Sequence, residues 1–139
     1  MLFTAAGLAQ RVMARGRRAT PSSTAVAAAV LGVSAGLLAG SAGAFRRHRT
    51  TVDPLGVERA GHLVVDGPNR LTRNPMYVGL GGALLAHAIA RRSLAAVIPV
   101  LGFYLLMDRH QIPAEEAALE ERFGQAYRDY RRTVPRWLF

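Results

Sequence analysis

The sequence contains no cysteine, and this absence excludes several kinds of site at once. Without thiols the chain can form no disulfide, thiolate nucleophile, zinc–thiolate site or iron–sulfur cluster. The redox compartment therefore stays undetermined. Lysine is absent as well, so all 18 basic residues are arginines.

Charged residues of either sign are scarce, at 19% of the 139 residues, whereas apolar residues make up 50%. The length allows one domain at most, and the composition favours a membrane protein. The formal net charge is +9, which suits phosphates and anionic lipid headgroups equally well. Because the arginines flank apolar segments instead of forming one basic face, no nucleic-acid partner is expected.

The longest apolar run, residues 25–45, contains no charged side chain. At about 1.5 Å per residue it is long enough to cross a hydrocarbon core of about 30 Å, so it predicts a transmembrane helix. Its many small residues favour close approach of a neighbouring membrane helix. The alternative is the buried, alanine-rich helix of a soluble protein.

Two shorter apolar segments, residues 76–90 and 93–107, are separated only by Arg91 and Arg92. Each falls short of the roughly 20 residues that a comfortable span needs. The pair therefore predicts a tight transmembrane hairpin whose arginines extend to the far headgroups. Pro99 predicts a kink in the second arm.

Both ends of the chain carry patterns typical of helices at a membrane surface. Residues 1–24 are predicted to form an N-terminal interfacial segment or a frayed terminus, because a weakly apolar stretch precedes their arginines. A secretory signal would have the reverse order. From Pro113 onward, one helical face is predicted to be apolar, and it consists of Leu119, Phe123, Ala126, Tyr127 and Tyr130.

The predicted fold is thus all-α: an integral membrane helical bundle over residues 25–139, with a short transmembrane hairpin and a C-terminal amphipathic helix. Most of the arginines fall in the polar segments 46–75 and 108–139. The positive-inside tendency then places both segments in the cytoplasm of a multi-pass protein in the cell membrane.

Several common chemical motifs are missing. Gly79, Gly81 and Gly82 follow no predicted strand, so they do not form a dinucleotide-binding turn. The histidines do not have the spacing of zinc ligands, and no serine lies in a nucleophile elbow. Metal-dependent hydrolysis and acyl-enzyme chemistry are therefore not supported, and no metal site is expected.

A distinctive order of motifs occupies the polar segments. The stretch Leu63-Val64-Val65-Asp66-Gly67 leads into Arg73-Asn74-Pro75-Met76-Tyr77-Val78-Gly79, and after the hairpin come Glu115-Glu116, Phe123-Gly124, Tyr127, Tyr130 and Val134-Pro135-Arg136. This order resembles the isoprenylcysteine carboxyl methyltransferase and phospholipid methyltransferase group. There an LVxxG stretch precedes an R-H/N-P-x-Y-x-G motif, and a Glu–Glu pair follows the next hairpin. The resemblance extends from about Phe45 to the end.

The resemblance implies a pocket for S-adenosylmethionine at the cytosolic edge of the bundle. A carboxylate such as Glu115 and an aromatic face such as Tyr77 can stabilise the cationic sulfonium and ammonium of this cofactor. At the start of a helix, the glutamates would also complement the helix dipole without any ligand. The implied cofactor-binding residues are His62, Leu63, Val64, Arg73, Asn74, Pro75, Met76, Tyr77, Glu115 and Glu116.

Members of the group often carry an arginine shortly before the Glu–Glu pair. Here the nearest arginine is Arg109. The implied substrate-binding residues are Arg109 and Gln111. The implied reaction is methyl transfer to a lipophilic or membrane-resident acceptor, such as the carboxylate of an isoprenylcysteine-like molecule, and it requires no protein nucleophile. The expected partners are membrane lipids and a lipophilic or lipidated substrate. The alternatives are N-methylation of a phospholipid amine and a non-enzymatic, arginine-rich membrane adaptor.

Overall fold

A computed structural model describes residues 2–13, 18–48 and 61–138, and all regular secondary structure within them is helical. Two 3₁₀ turns, Gly67–Arg70 and Ala95–Val97, precede α3 and α4, and a π-helical segment, Met107–Gln111, joins α4 to α5. The all-α prediction is confirmed for this part of the chain. The α-helices are α1 (Leu2–Met13), α2 (Pro21–Arg47), α3 (Pro75–Ala90), α4 (Ile98–Leu106), α5 (Ile112–Phe123) and α6 (Gln125–Thr133).

Helix α2 matches the predicted membrane span. It has 27 residues and is apolar and long enough to cross a bilayer by length and composition. Only 17% of its most apolar window is buried, whereas the core helix of a soluble protein would be mostly buried. Helix α3 is also apolar but has only 16 residues, so a multi-pass topology stays a prediction.

Contacts divide the chain into two compact units. Unit 1 comprises Met1–Gly36 and Tyr77–Met107, and unit 2 comprises Leu37–Met76 and Asp108–Phe139. Unit 1 carries the apolar hairpin, and unit 2 carries most of the polar motifs. The division of the chain at residue 24 stays a prediction.

Helix α1 packs inside unit 1. Phe3 meets Phe103 of α4 edge to face, with 6.3 Å between ring centroids. Gln10 is completely buried, and its Nε2 donates hydrogen bonds to the carbonyl oxygens of Leu84 and Ala96 at 2.9 and 2.8 Å. A buried amide without such partners would be costly, so these bonds fix α1 against the hairpin.

The hairpin of unit 1 depends on close approaches at glycine. The Tyr104 ring lies directly against Gly81, where a Cβ would overlap it, and the Tyr104 hydroxyl donates to the carbonyl oxygen of Val78 at 3.4 Å. Arg92 turns the chain between the two arms with a φ of 48°. Pro99 lies in the first turn of α4, where its missing N–H costs no helical hydrogen bond, so it marks the start of this helix instead of a kink.

The C-terminal amphipathic helix is broken into α5 and α6. The break is at Gly124, whose φ of 52° belongs to a backbone region that side chains other than glycine rarely adopt. The prediction of one continuous helix is therefore wrong, although Tyr127 and Tyr130 of the predicted apolar face are buried and half-buried in α6. Tyr127 is buried after the break, whereas Ala126 is exposed.

Candidate functional site

The C-terminal residues 134–137 of unit 2 are called the strap here. They pair with residues 72–74, which precede α3 and are called the loop. The carbonyl oxygens of Val134 and Pro135 accept hydrogen bonds from Nε and the backbone N–H of Arg73, at 3.0 and 2.9 Å. The carbonyl oxygen of Arg136 accepts two more, from Oγ1 of Thr72 at 2.7 Å and from Nδ2 of Asn74 at 3.1 Å. Three consecutive strap carbonyls thus hold three consecutive loop residues.

Side chains join the loop and the strap to the start of α5. Nη1 of Arg73 lies 2.6 Å from Oε1 of Glu116, and Nη2 of Arg136 lies 2.7 Å from Oε2 of the same carboxylate. Nη1 of Arg136 reaches Oδ1 of Asp108 at 3.1 Å. The side chains of Arg73 and Glu116 are only 10% and 9% exposed. These four residues, Arg73, Glu116, Arg136 and Asp108, form a charge-balanced set called the ion network below.

Hydrogen bonds shift the pKa of two members of the ion network, Asp108 and Arg136. Nε1 of Trp137 donates to Oδ1 of Asp108 at 2.9 Å, and this bond together with that from Arg136 lowers the pKa of Asp108. Hydrogen bonds to Glu116 raise the pKa of Arg136 further above its already high value. Both shifts favour the charged forms of Asp108 and Arg136, so these two groups stay ionised at neutral pH.

Two tyrosines of α6 connect the ion network to the 3₁₀ turn Gly67–Arg70. Nη1 of Arg73 donates to the hydroxyl of Tyr127 at 3.2 Å, and the hydroxyl of Tyr130 donates to the carbonyl oxygen of Asn69 at 2.7 Å. Burial raises the pKa of both tyrosines, so both hydroxyls remain neutral. The buried face of α6 therefore packs on the same loop as the strap.

Glu115 and Gln111 lie next to the ion network on the same stretch of helix. Nε2 of Gln111 donates to Oε1 of Glu115 at 2.8 Å, and both residues are half-buried. This bond orients the carboxylate of Glu115. Arg109 lies on the same π-helical segment and is 71% exposed, with its Nε 3.8 Å from Oδ2 of Asp108. π-Helical segments often occur at functional sites.

His62 belongs to a different cluster of unit 2. It is exposed and stacks on His48, with 5.7 Å between ring centroids and 18° between ring planes. Nε2 of His48 lies 3.3 Å from Oδ1 of Asp66, and Nη2 of Arg47 lies 3.3 Å from Oδ2. Desolvation opposes ionisation of Asp66, yet the hydrogen bond from Arg47 and the close contact with His48 outweigh it and lower its pKa.

The remaining predicted residues lie in the segment that precedes α3 and at the start of α3. Leu63 is half-buried and Val64 is buried. Asn74 is buried, and Pro75 begins α3, where its fixed φ and missing N–H suit the first helical position. Met76 and Tyr77 follow in the first turn, and both are half-buried.

The structure thus brings some predicted residues together and leaves others apart. Arg73, Asn74 and Glu116 meet through the strap, and Gln111 pairs with Glu115. Among the described contacts, those of His62 do not reach this group. The prediction of site residues did not include Thr72, Asp108, Arg136 and Trp137, which complete it. Only the Val134-Pro135-Arg136 sequence pointed to any of them.

Comparisons with known proteins agree with the resemblance. The family described as "Phospholipid methyltransferase" matches residues 22–126, more than half of the chain. A protein of Haemophilus influenzae described as "Uncharacterized protein" is 40% identical over 63 residues, which are 45% of this chain and 100% of that protein. No solved structure matches significantly. The family match includes the Arg73-Asn74-Pro75 motif and the Glu–Glu pair, and it ends before the strap.

Proposed function

The chain belongs to the phospholipid methyltransferase family, and from this premise we propose that it transfers a methyl group from S-adenosylmethionine to a lipophilic acceptor in the membrane. Members of this family are membrane proteins, in keeping with the long, exposed apolar helix α2. The observation that carries the proposal is the ion network. Through it, the Arg73-Asn74-Pro75 motif and the Glu–Glu pair, which are far apart in sequence, form one cluster in unit 2.

The residues of this cluster fit the chemistry of the methyl donor. When bound, S-adenosylmethionine would supply a methyl group on a positively charged sulfur. An acceptor atom can attack the methyl carbon in one step, and the sulfur then leaves as part of S-adenosylhomocysteine. A partly buried carboxylate can stabilise a cationic donor, because Coulomb attraction there is stronger than in bulk water. Glu115 is such a carboxylate, and Gln111 holds its Oε1 in place.

The two neighbouring glutamates are proposed to have different tasks. Both oxygens of Glu116 already accept hydrogen bonds from Arg73 and Arg136. Its negative charge is therefore neutralised within the ion network, and its task is to hold the loop against α5. We assign recognition of the donor cation to Glu115, together with polar contacts from the neighbouring loop.

The chain contributes alignment and removal of water, since direct displacement needs no protein nucleophile. No residue is assigned as a base. Arg109 and Gln111 are proposed to face the acceptor, because an exposed guanidinium can bind a carboxylate or a phosphate through paired hydrogen bonds.

Two classes of acceptor fit the proposal. The resemblance implies the carboxylate of an isoprenylcysteine-like molecule, and the description of the matched family favours the amine of a phospholipid headgroup. A carboxylate acceptor gives a methyl ester, and an amine acceptor, which loses one proton to water, gives an N-methylated headgroup. Esters are cleaved by base to release methanol, whereas N-methyl groups are retained.

The test is transfer of an isotopically labelled methyl group from S-adenosylmethionine, using purified protein in vesicles. One set of vesicles contains phosphatidylethanolamine and the other a farnesylcysteine analogue. We expect labelled lipid in one set, and release of labelled methanol by base identifies the ester. If neither acceptor is labelled and the donor does not bind, the proposal is wrong, and the alternative of a non-enzymatic membrane adaptor is favoured.

A further inference from the structure

The strap follows the residues that match the family, yet it supplies partners to the matched motif. The match ends at residue 126, and the strap occupies residues 134–137. Within unit 2, its carbonyl oxygens accept hydrogen bonds from Thr72, Arg73 and Asn74. The loop thereby satisfies its buried polar groups with residues from the far end of the chain, and its conformation depends on them.

The strap also binds through a side chain, that of Arg136. Its Nε and Nη2 bind the two oxygens of Glu116 at 3.2 and 2.7 Å, which is a paired, two-pronged contact. Its Nη1 is engaged at the same time by Asp108, 3.1 Å away on the π-helical segment. A planar guanidinium can make these contacts together, whereas an ammonium is a single point charge.

The contacts of Arg136 fix the immediate neighbours of the proposed donor-binding residues. Glu116 is adjacent to Glu115, so holding Glu116 sets the rotation of the first turn of α5 and the direction in which Glu115 projects. Arg73 is adjacent to Asn74, and Asn74 itself donates to the carbonyl oxygen of Arg136. One residue of the strap thus holds both sides of the cluster.

We propose that Arg136 is a positioning residue for methyl transfer, acting through Glu116 and the loop to align the residues that bind the methyl donor. The inference rests on the proposed function. It assigns no direct contact between Arg136 and the donor or the acceptor. A site displaced by about 1 Å can lose a large factor in rate or affinity, so a support of this kind is measurable.

The test compares three variants in the full-length protein in detergent. Arg136→Gln removes the two-pronged contact, and Arg136→Lys keeps the charge but not the planar geometry. Arg132→Gln is the matched control, because Arg132 is an exposed arginine of α6 that pairs with Asp129 three residues earlier on the same helix. The affinity for S-adenosylhomocysteine is measured by calorimetry well below each melting temperature, and KM is measured for the donor and for the acceptor.

We expect Arg136→Gln to weaken S-adenosylhomocysteine binding on the order of tenfold and to raise the KM of the donor, with the KM of the acceptor unchanged. Arg136→Lys is expected to recover part of the affinity, and Arg132→Gln to match the wild type. A purely structural clamp would lower the melting temperature and leave the affinity of the folded protein unchanged. That result would overturn the inference.

A further variant, Asp108→Asn, keeps the test decisive if Arg136→Gln does not fold. Asp108→Asn removes the charge of one partner of Arg136 and leaves Glu116 in place, and it is expected to weaken binding by a smaller factor. Unchanged affinity in this variant also contradicts the inference. Failure of the wild-type protein to bind S-adenosylhomocysteine contradicts the proposed function itself, whereas wild-type binding with unaffected variants contradicts only the role of Arg136.

Discussion

Arg73 and Glu116 form a 2.6 Å ion pair although 43 residues separate them in the sequence. Each side chain is almost fully buried, and each belongs to a motif typical of the family. A buried pair of this kind adds little stability compared with apolar side chains of the same shape, but removing one partner leaves an uncompensated charge. Its position next to Asn74 and Glu115 points to a role in the geometry of the cluster.

The first prediction concerns the stability that depends on this pair. Glu116→Gln removes the carboxylate that Arg73 and Arg136 share, and we expect the free energy of unfolding to fall by about 3–5 kcal/mol. Glu121→Gln, an exposed position on the same helix, is expected to change it by no more than about 0.5 kcal/mol. Thermal unfolding in detergent measures both variants. Equal melting temperatures would show that the ion network does not support the fold.

The second prediction concerns the stability of the folded protein at acidic pH. Because the folded pKa of Asp108 is lowered, its contribution to stability is fully present above the ordinary aspartate pKa of about 3.9 and is lost as the pH falls through its folded value. We therefore expect unfolding to become easier below about pH 4, and less steeply so in Asp108→Asn. Denaturant titrations from pH 7 to pH 3 measure this slope. The same slope in both proteins would contradict the assignment to Asp108.

The third prediction concerns helix packing in unit 1. A Cβ at Gly81 would overlap the ring of Tyr104, whereas a Cβ at Gly36 would meet nothing within 4 Å. Gly81→Ala should therefore destabilise the protein by about 1–3 kcal/mol through overpacking. Gly36→Ala should be neutral or stabilising by up to about 1 kcal/mol through helix propensity. Melting temperatures in the reverse order would show that Tyr104 does not pack on this glycine.

The positions of the helices could be predicted from the sequence where a single local signal, such as an uncharged apolar run, determines them. The uncharged run of residues 25–45 corresponds to α2, and the apolar segment of residues 76–90 corresponds to α3. The sequence did not reveal the break in the C-terminal helix, because the apolar spacing continues through Gly124. That spacing describes side chains, whereas the break is a backbone turn with a φ of 52°.

The candidate site was predicted only in part for a similar reason. Arg73 and Glu116 were expected as cofactor ligands from their motifs, and the structure pairs them with each other. The bridging residue Arg136 lies 20 residues from Glu116, and no local periodicity relates the two. Such pairs depend on tertiary packing, which spacing along the chain does not specify.

The fourth prediction concerns topology. Because the arginines are concentrated in residues 46–75 and 108–139, a reporter fused after Phe139 should be active in the cytoplasm, and the protein should be extracted only by detergent. Reporter activity and carbonate extraction measure the two properties. A soluble protein after cell breakage, or a reporter on the outer side, would contradict the proposed orientation.

The most direct test of the proposed donor site is calorimetric titration of S-adenosylmethionine into the wild type, Glu115→Gln and the control Glu121→Gln. Glutamine keeps an acceptor oxygen for Gln111 but removes the charge. We predict that Glu115→Gln loses about 1.5–3 kcal/mol of binding free energy, roughly tenfold or more in affinity, while the control binds like the wild type. If Glu115 only complements the helix dipole, its replacement costs about 0.3–1 kcal/mol of stability and leaves the affinity unchanged. Unchanged affinity in Glu115→Gln would contradict the assignment of this cluster as the methyl-donor site.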